Sequence, residues 1–145
     1  MFKTFTAAAA ALIIALCTAL PAYALETGSG GIAWKNYKEG VALAAETGKK
    51  VYVNFHADWC VYCAKMAKET FVNKKVIRYL NTHFIAVTVD TEKEATIANK
   101  YKVRGLPTHL FLESDGSTIG TQPGYLDTKQ FLKILEFIQK EKYKK

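Results

Sequence analysis

The sequence predicts an α/β domain in which one mixed sheet is flanked by helices. Short β-branched, apolar stretches alternate with segments whose apolar residues recur at helical spacing. A helical segment long enough for a crossover separates the first two strands, which should therefore be parallel. A tight turn separates the last two, which should form an antiparallel hairpin. The predicted order is helix, strand, helix, strand, helix, strand, strand, helix, which is an α/β sandwich.

Each predicted element follows from a local signal. Gly48 should end the first helix, Asn73 should cap or kink the helical region after the first strand, and Asp90 or Thr91 should cap a short polar helix. The turn Ser114-Asp115-Gly116-Ser117 separates the two hairpin strands. The predicted helices are 34–47, 60–70, a continuation beyond 73, a helix reaching 101, and 127–141, and the predicted strands are 51–57, 83–90, 109–113 and one that ends near 124.

The 145 residues, half of them apolar, suit one compact domain. Residues 1–24 have the build of a secretory signal peptide: one Lys, an uncharged apolar run over 7–20, and the ending Pro21-Ala22-Tyr23-Ala24. We expect cleavage after Ala24, because the run is short for a membrane anchor. Residues 25–32 are then a Gly-rich, flexible lead-in, and 33–145 form the domain.

The net charge of +7 comes from basic residues that are spread along the chain, with a small cluster at its C-terminal end. Nucleic-acid binding would require a basic stripe on one face, and none is evident. We expect no nucleic-acid partner, and a monomer.

Two cysteines, Cys60 and Cys63, remain once Cys17 leaves with the signal peptide. A bridge that encloses only two residues removes little chain entropy, so a chemical purpose is favoured over a structural one. At the start of a helix, Cys60 meets unpaired N–H groups and the positive end of the helix dipole, which favour the thiolate. Cys60 is therefore the predicted attacking sulfur, with Cys63 shielded beneath it as the resolving sulfur.

A metal site is the alternative interpretation of this pair. Structural zinc usually takes four ligands, and the sequence has neither a second Cys-x-x-Cys nor a His pair at finger spacing. We predict no metal and no cofactor, although two soft thiolates could hold Cu(I) in a binding module with little redox turnover.

The motifs Trp-Cys-x-x-Cys after a strand and Gly-Leu-Pro-Thr before the last hairpin resemble the thioredoxin family, from about Trp34 to the end. The longer segments Phe-His-Ala-Asp-Trp-Cys-Val-Tyr-Cys and Arg-Gly-Leu-Pro-Thr are more similar to the exported C-terminal thioredoxin-like domain of the disulfide reductase DsbD and its stand-alone relatives. The resemblance implies the thioredoxin fold. It also implies that Pro107 is a cis-proline beside the disulfide, where the Leu106 backbone pairs with an extended substrate.

Side chains near the dithiol are further candidates. Trp59 is expected to shield the thiolate and contact partners, and Tyr62 to shape access to it. His56 could stabilise the thiolate as a cation, and Asp58 could handle protons or simply be exposed. His109 is expected to be a packing or surface residue.

The sequence departs from the family at two acids. The family tends to carry a buried Asp six residues before the first Cys, where this chain has Asn54, and the DsbD domain has an acid where this chain has Ala67. Asn54 can hydrogen-bond a sulfur but cannot accept its proton. Deprotonation of Cys63 must then use water or another group.

The predicted function is that of an exported, periplasmic thiol:disulfide oxidoreductase that reduces client disulfides. By the resemblance, a membrane electron donor of the DsbD type re-reduces the pair. An oxidase or isomerase of the same fold is the alternative. Strong oxidants of the family often have His between the cysteines, whereas this chain has Val61 and Tyr62, which favours a reductant.

Overall fold

A computed structural model describes residues 30–144 and shows a four-stranded mixed sheet with helices on both faces. The predicted signal peptide and Cys17 lie outside the described residues. The element order predicted from the sequence is confirmed. The helices are α1 (Tyr37–Thr47), α2 (Val61–Glu69), α3 (Lys74–His83), α4 (Ala95–Lys100) and α5 (Thr128–Gln139), and the strands are β1 (Lys50–His56), β2 (Phe84–Asp90), β3 (Thr108–Leu112) and β4 (Thr118–Pro123).

Strand β1 is one of two central strands in the sheet order β2-β1-β3-β4. It runs parallel to β2, with Lys50 opposite Phe84 and His56 opposite Asp90. It runs antiparallel to β3, and β3 in turn pairs antiparallel with β4. The parallel crossover and the C-terminal hairpin are therefore as predicted.

Two apolar layers cover the sheet. One face packs against α2, α3 and α5, and its fully buried members include Tyr52, Met66 and Phe131. The other face packs against α1 and α4 through Val53, Val87 and their neighbours. Because helices cover β1 on both faces, its sequence is a nearly continuous run of apolar residues, as is typical of strands that are buried on both sides.

Side-chain caps start four of the five helices. Asn36, Asn73 and Asp127 each accept a backbone N–H of the following first turn, and Asp127 forms a reciprocal capping box with Gln130. The predicted cap at Asn73 is confirmed. The fourth cap is the sulfur of Cys60.

Two helices begin later than predicted. Residues 34–36 do not join α1, because Lys35 forms a β-bridge with Val87 and Asn36 caps the helix. Helix α4 begins at Ala95 rather than after Asp90, because the Asp90 carboxylate accepts the N–H of Glu92 and stabilises a turn there. Apolar spacing and a cap residue cannot distinguish such a turn from the first turn of a helix.

Residues 30–32, the end of the predicted flexible lead-in, are anchored to α3. Ile32 is buried in the core, and the Asn81 side chain donates to the Gly31 carbonyl and accepts the N–H of Ala33. The burial of Ile32 was not predicted, because this residue is a single apolar side chain in a Gly-rich segment. Over residues 30–144, no helix is long and apolar enough to cross a membrane.

Gly40 marks the closest approach of α1 to β2. A methyl group at this position would overlap Cγ2 of Val87. We expect Gly40→Ala to lower the free energy of unfolding by about 1–3 kcal/mol, because the close-packed helix and strand must separate to accommodate the methyl group. The measurement is urea unfolding at neutral pH. Gly120→Ala is the control, since nothing lies within 4 Å of its added methyl, and an equal loss in both variants would contradict this account.

Candidate active site

The Cys60–Cys63 disulfide lies at the N-terminus of α2. The two Cα atoms are 5.2 Å apart. Cys60 is the N-cap, and its Sγ accepts the backbone N–H of Cys63 at 3.1 Å. In the reduced protein this N–H and the helix dipole face the Cys60 sulfur, and both stabilise a negative charge there.

The relative exposure of the two cysteines differs from the prediction. Cys60 is 5% exposed, whereas Cys63 is partly exposed, so Cys63 is not shielded beneath Cys60. The N-cap position draws Cys60 into the loop, where its N–H also bonds the Ala57 carbonyl. Exposure alone would therefore select Cys63 as the attacking sulfur, and the argument for Cys60 rests on electrostatics.

The loop before β3 lies at the same edge of the sheet as the disulfide. Thr108 pairs with Phe55, so Pro107 lies level with the end of β1, where the chain turns towards Cys60. The Leu106–Pro107 peptide bond is cis. Within the described part of the chain, neither the N–H nor the carbonyl of Leu106 takes part in a hydrogen bond, which leaves both free for another chain.

Large aromatic side chains surround the disulfide on the outside. Trp59 is 66% exposed and Tyr62 is 59% exposed. The indole Nε1–H of Trp59 donates to Glu92 at 3.0 Å, which fixes the ring beside the cysteines. Sequence reasoning missed Glu92, because it lies on the loop after β2 and no local pattern connects it to Trp59.

A cleft of about 300 Å³ reaches the disulfide from the side of β1. The three predicted tuning residues, Asn54, His56 and Asp58, line it together with both cysteines and Ala67. Further lining residues were not predicted near the site: Trp34, Ala57, Ala64, Phe71 and Thr88. Asn54 is buried, and its Oδ1 has no hydrogen-bond partner among the residues that the structure describes. Ala67, which replaces an acid of the related domains, contributes only a methyl group.

His109 is buried behind the site, as a packing residue with two hydrogen bonds. Its Nε2 donates to the Gly124 carbonyl at 3.0 Å, so its Nδ1 accepts the Tyr52 hydroxyl at 2.8 Å. The N–H of Gly124 donates to the carbonyl of Pro107. His109 thereby holds the segment that fixes Pro107. Burial lowers the pKa of His109 to about 4, so the ring is neutral at pH 7.

No group of three or more His, Cys, Asp or Glu side chains that could hold a metal ion occurs within residues 30–144. The thiols of Cys60 and Cys63, once reduced, are the soft ligands at this site. The predicted Cu(I) alternative would depend on these two sulfurs.

Residues 37–139 match the family model of a thioredoxin-like domain. The chain belongs to the thioredoxin-like family. A thioredoxin from Thermus thermophilus, solved in solution, superposes with a TM-score of 0.69 at 30% identity, covering 75% of this chain and 88% of that one. The thioredoxin fold implied by the motifs is confirmed.

The thioredoxin-like domain is also similar to part of a longer protein. DsbD of Yersinia pestis (strain Pestoides F), a thiol:disulfide interchange protein, is 41% identical over 99 residues, which are 65% of this chain and 17% of that relative. DsbD of Haemophilus ducreyi is 34% identical over 95 residues, with 62% and 17% covered. The chain thus spans about a sixth of the length of these relatives.

The C-terminal domain of Neisseria meningitidis DsbD, in its oxidised form, superposes with a TM-score of 0.59 at 24% identity. The superposition covers 68% of this chain and 89% of that domain, and it agrees with the fold. The DsbD relatives, by their sequence identity, confirm the predicted resemblance to the DsbD domain. The motif and the family support a redox role for Cys60 and Cys63.

The alkylation rates of the two thiols test whether electrostatics or exposure selects the attacking sulfur. We expect limiting iodoacetamide at pH 6.5 to alkylate Cys60 about tenfold or more faster than Cys63 in the reduced protein, because the α2 N-terminus favours the Cys60 thiolate. Peptide mass spectrometry measures the ratio. The denatured, reduced chain is the control, and faster labelling of Cys63 in the folded protein would show that exposure decides.

His109 should make the protein sensitive to acid. Its pKa is about 4 in the folded state and about 6.5 in an unfolded chain. Its contribution to stability is therefore complete above about pH 6.5 and is lost as the pH falls towards 4, by about 3 kcal/mol in all. Urea unfolding from pH 7 to pH 4 should show a smaller loss for His109→Gln than for the wild type. His83→Gln, at the partly buried end of α3, is the control, and equal losses in all three proteins would contradict the assignment.

Proposed function

We propose that the chain is a thiol:disulfide oxidoreductase that reduces disulfide bonds of exported client proteins through Cys60 and Cys63. The observation that carries this proposal is the position of the pair. The sulfur of Cys60 caps α2 and accepts a backbone N–H, beside an exposed Trp59 and the Leu106–Pro107 segment.

The reaction follows from this geometry. The Cys60 thiolate attacks one sulfur of the client disulfide, so a Cys60–client bond forms and the other client sulfur leaves as a thiolate. Cys63 loses its proton and attacks Cys60 Sγ, which breaks the mixed disulfide and releases the second client thiolate. One pair of electrons passes to the client, and the Cys60–Cys63 disulfide is regenerated as the structure shows it.

Client binding should use backbone pairing and apolar contact. The free N–H and carbonyl of Leu106 can pair with an extended client segment, as strand addition does at sheet edges. Trp59, Val61 and Tyr62 are exposed around the disulfide and offer apolar surface to side chains of that segment. Backbone pairing carries little sequence information, so a range of partly unfolded clients is expected.

The direction of electron flow depends on how far the protein stabilises the reduced thiolate. Strong oxidants stabilise it so well that their disulfide is easily reduced. The two residues between the cysteines are Val61 and Tyr62, both exposed and neither cationic. Stabilisation therefore comes from the α2 N-terminus without a charged partner in the motif, which favours a reductant.

A reductant in an oxidising compartment needs a dedicated source of electrons. The signal-like residues 1–24 support export to the periplasm. The similarity to a segment of DsbD supports a membrane donor of the DsbD type that keeps the pair reduced. We propose a monomer that alternates between this donor and its clients, with no cofactor and no nucleic-acid partner.

The reduction potential of the pair tests the direction. Equilibration of the protein with defined glutathione mixtures should give a value near that of thioredoxin, about −270 mV. A value near about −120 mV would make the protein an oxidase. Cys60→Ser should abolish reduction of insulin disulfides, and Cys63→Ser should accumulate mixed disulfides with clients.

The same variants separate redox turnover from metal binding. If the pair is a Cu(I) module, the reduced wild type will bind Cu(I) in a competition assay with a chelator yet reduce insulin no faster than the Cys60→Ser variant. If it is a reductase, turnover depends on both cysteines whether or not the metal binds. The His83→Gln variant, remote from the pair, controls for nonspecific effects of substitution.

A further inference from the structure

The cleft beside the disulfide contains a buried acceptor with no partner. Asn54 is only 8% exposed, and its Oδ1 is sealed from solvent without a hydrogen bond within residues 30–144. Buried polar atoms are almost always paired with protein or with ordered water. The Asn54 amide therefore lacks a hydrogen-bond partner for its oxygen within the described residues, and its remaining exposed part is where it meets the cleft.

The cleft can supply a water that contacts this amide. Its volume of about 300 Å³ is several times the roughly 30 Å³ that one water occupies in the liquid. A stable water needs at least two polar partners, and Asn54, Cys63 and His56 line the same cleft. The side chains that α2 adds from Ala64 and Ala67 are methyl groups and cannot compete for it.

His56 is the group in this cleft best suited to take a proton. It lies two residues from Asn54 on β1, so both side chains are on the same face of the sheet. It is half-buried, and its ring forms no hydrogen bond within the described chain. Histidine is also the side chain that ordinarily gains and loses a proton near neutral pH.

Other titratable groups near the cleft are occupied or turned to solvent. Asp58 lines the mouth and is exposed. Asp90 lies beside His56 in the sheet register, and its carboxylate is bonded by Lys93. His109 pairs with Asn54 across β1 and β3, but both of its ring nitrogens already have partners.

We propose that His56 removes the proton of Cys63 during resolution of the mixed disulfide, through a water held by the Asn54 amide. This rests on the proposed redox function. Asn54 is a positioning residue, and His56 is the proton acceptor. Asn54 and His56 together take the place of a buried carboxylate. Asn54 is uncharged and positions the water, and His56 is the nearby base.

The step balances without an added reactant. The thiol S–H bond of Cys63 breaks as its proton moves to the water, while that water gives a proton to the imidazole. The Cys63 thiolate then attacks Cys60 Sγ, and the client sulfur leaves with the electron pair of the broken disulfide bond. The imidazolium returns its proton to bulk water at the mouth of the cleft.

A single-turnover assay resolves this step from the first attack. Reduced protein is mixed with one equivalent of 5,5′-dithiobis(2-nitrobenzoate), which releases one coloured thiolate on attack by Cys60 and a second on resolution by Cys63. We expect His56→Gln to slow the second release about tenfold or more at pH 7 and to leave the first within about twofold. The pH profile of the second rate should also change in this variant.

Further variants make the assignment specific. His83→Gln is the matched histidine control and should follow the wild type. Asn54→Leu should slow the second release. Asn54→Asp, which places a carboxylate at position 54, should release the second thiolate at about the wild-type rate. Urea unfolding identifies any variant that fails to fold, and the His56 comparison does not depend on the Asn54 variants.

Two results would overturn the proposal. If His56→Gln releases the second thiolate at the same rate and with the same pH profile as His83→Gln, the imidazole takes no proton. If Asp58→Asn slows the second release instead, the proton goes to that carboxylate. The proposed function fails in a different way, through a strongly oxidising reduction potential or no reduction of insulin by the wild type, and neither result depends on the rate of the second release.

Discussion

The burial of β1 on both faces is the constraint on which the site depends. Helices α1 and α4 cover one face and α2, α3 and α5 the other, so a shift of the strand by one residue would move its side chains into a layer that is close-packed around side chains of other sizes. This fixed register places Asn54 and His56 on the α2 side, just before the chain turns into Cys60. The residue at which β1 ends therefore sets the position of the two cysteines relative to Asn54 and His56.

A network of hydrogen bonds behind the site also supports it. His109 in β3 joins the Tyr52 hydroxyl to the Gly124 carbonyl, and Gly124 in turn bonds Pro107. Because every polar atom of this chain of contacts is satisfied, its burial is compatible with a stable core. The loop that carries the cis-proline is thus tied to the centre of the sheet, while the N–H and the carbonyl of Leu106 have no hydrogen bond within residues 30–144.

Proton handling distinguishes this member of the family. A buried carboxylate next to a thiol links two titrations and costs free energy to desolvate. Asn54 carries no charge, so it avoids that cost, but it leaves an unpaired oxygen in the cleft. The replacement moves the task of accepting a proton to a group nearer solvent, which separates the shape of the cleft from its acid-base chemistry.

The sequence by itself determined the order of helices and strands, the parallel crossover, the hairpin and the reactive pair. These follow from local apolar periodicity, from the cap at Asn73, and from the two-residue spacing of Cys60 and Cys63, all of which act within a few residues. It also named Asn54 and His56 as candidates, Asn54 because the resembling family tends to carry a buried Asp at that position and His56 because it lies at the end of the strand near the dithiol. The turn at 91–94 and the anchoring of Ile32 were missed, since both depend on contacts with distant residues.

Only the tertiary structure decided what those residues face. It showed that Cys60, rather than Cys63, is the more buried cysteine, because the sulfur caps α2 and the loop closes around it. It brought Glu92 to Trp59 and Gly124 to His109 across 33 and 15 residues of chain. Such contacts arise when packed layers bring separate segments together, and no pattern within one segment specifies its partner in another.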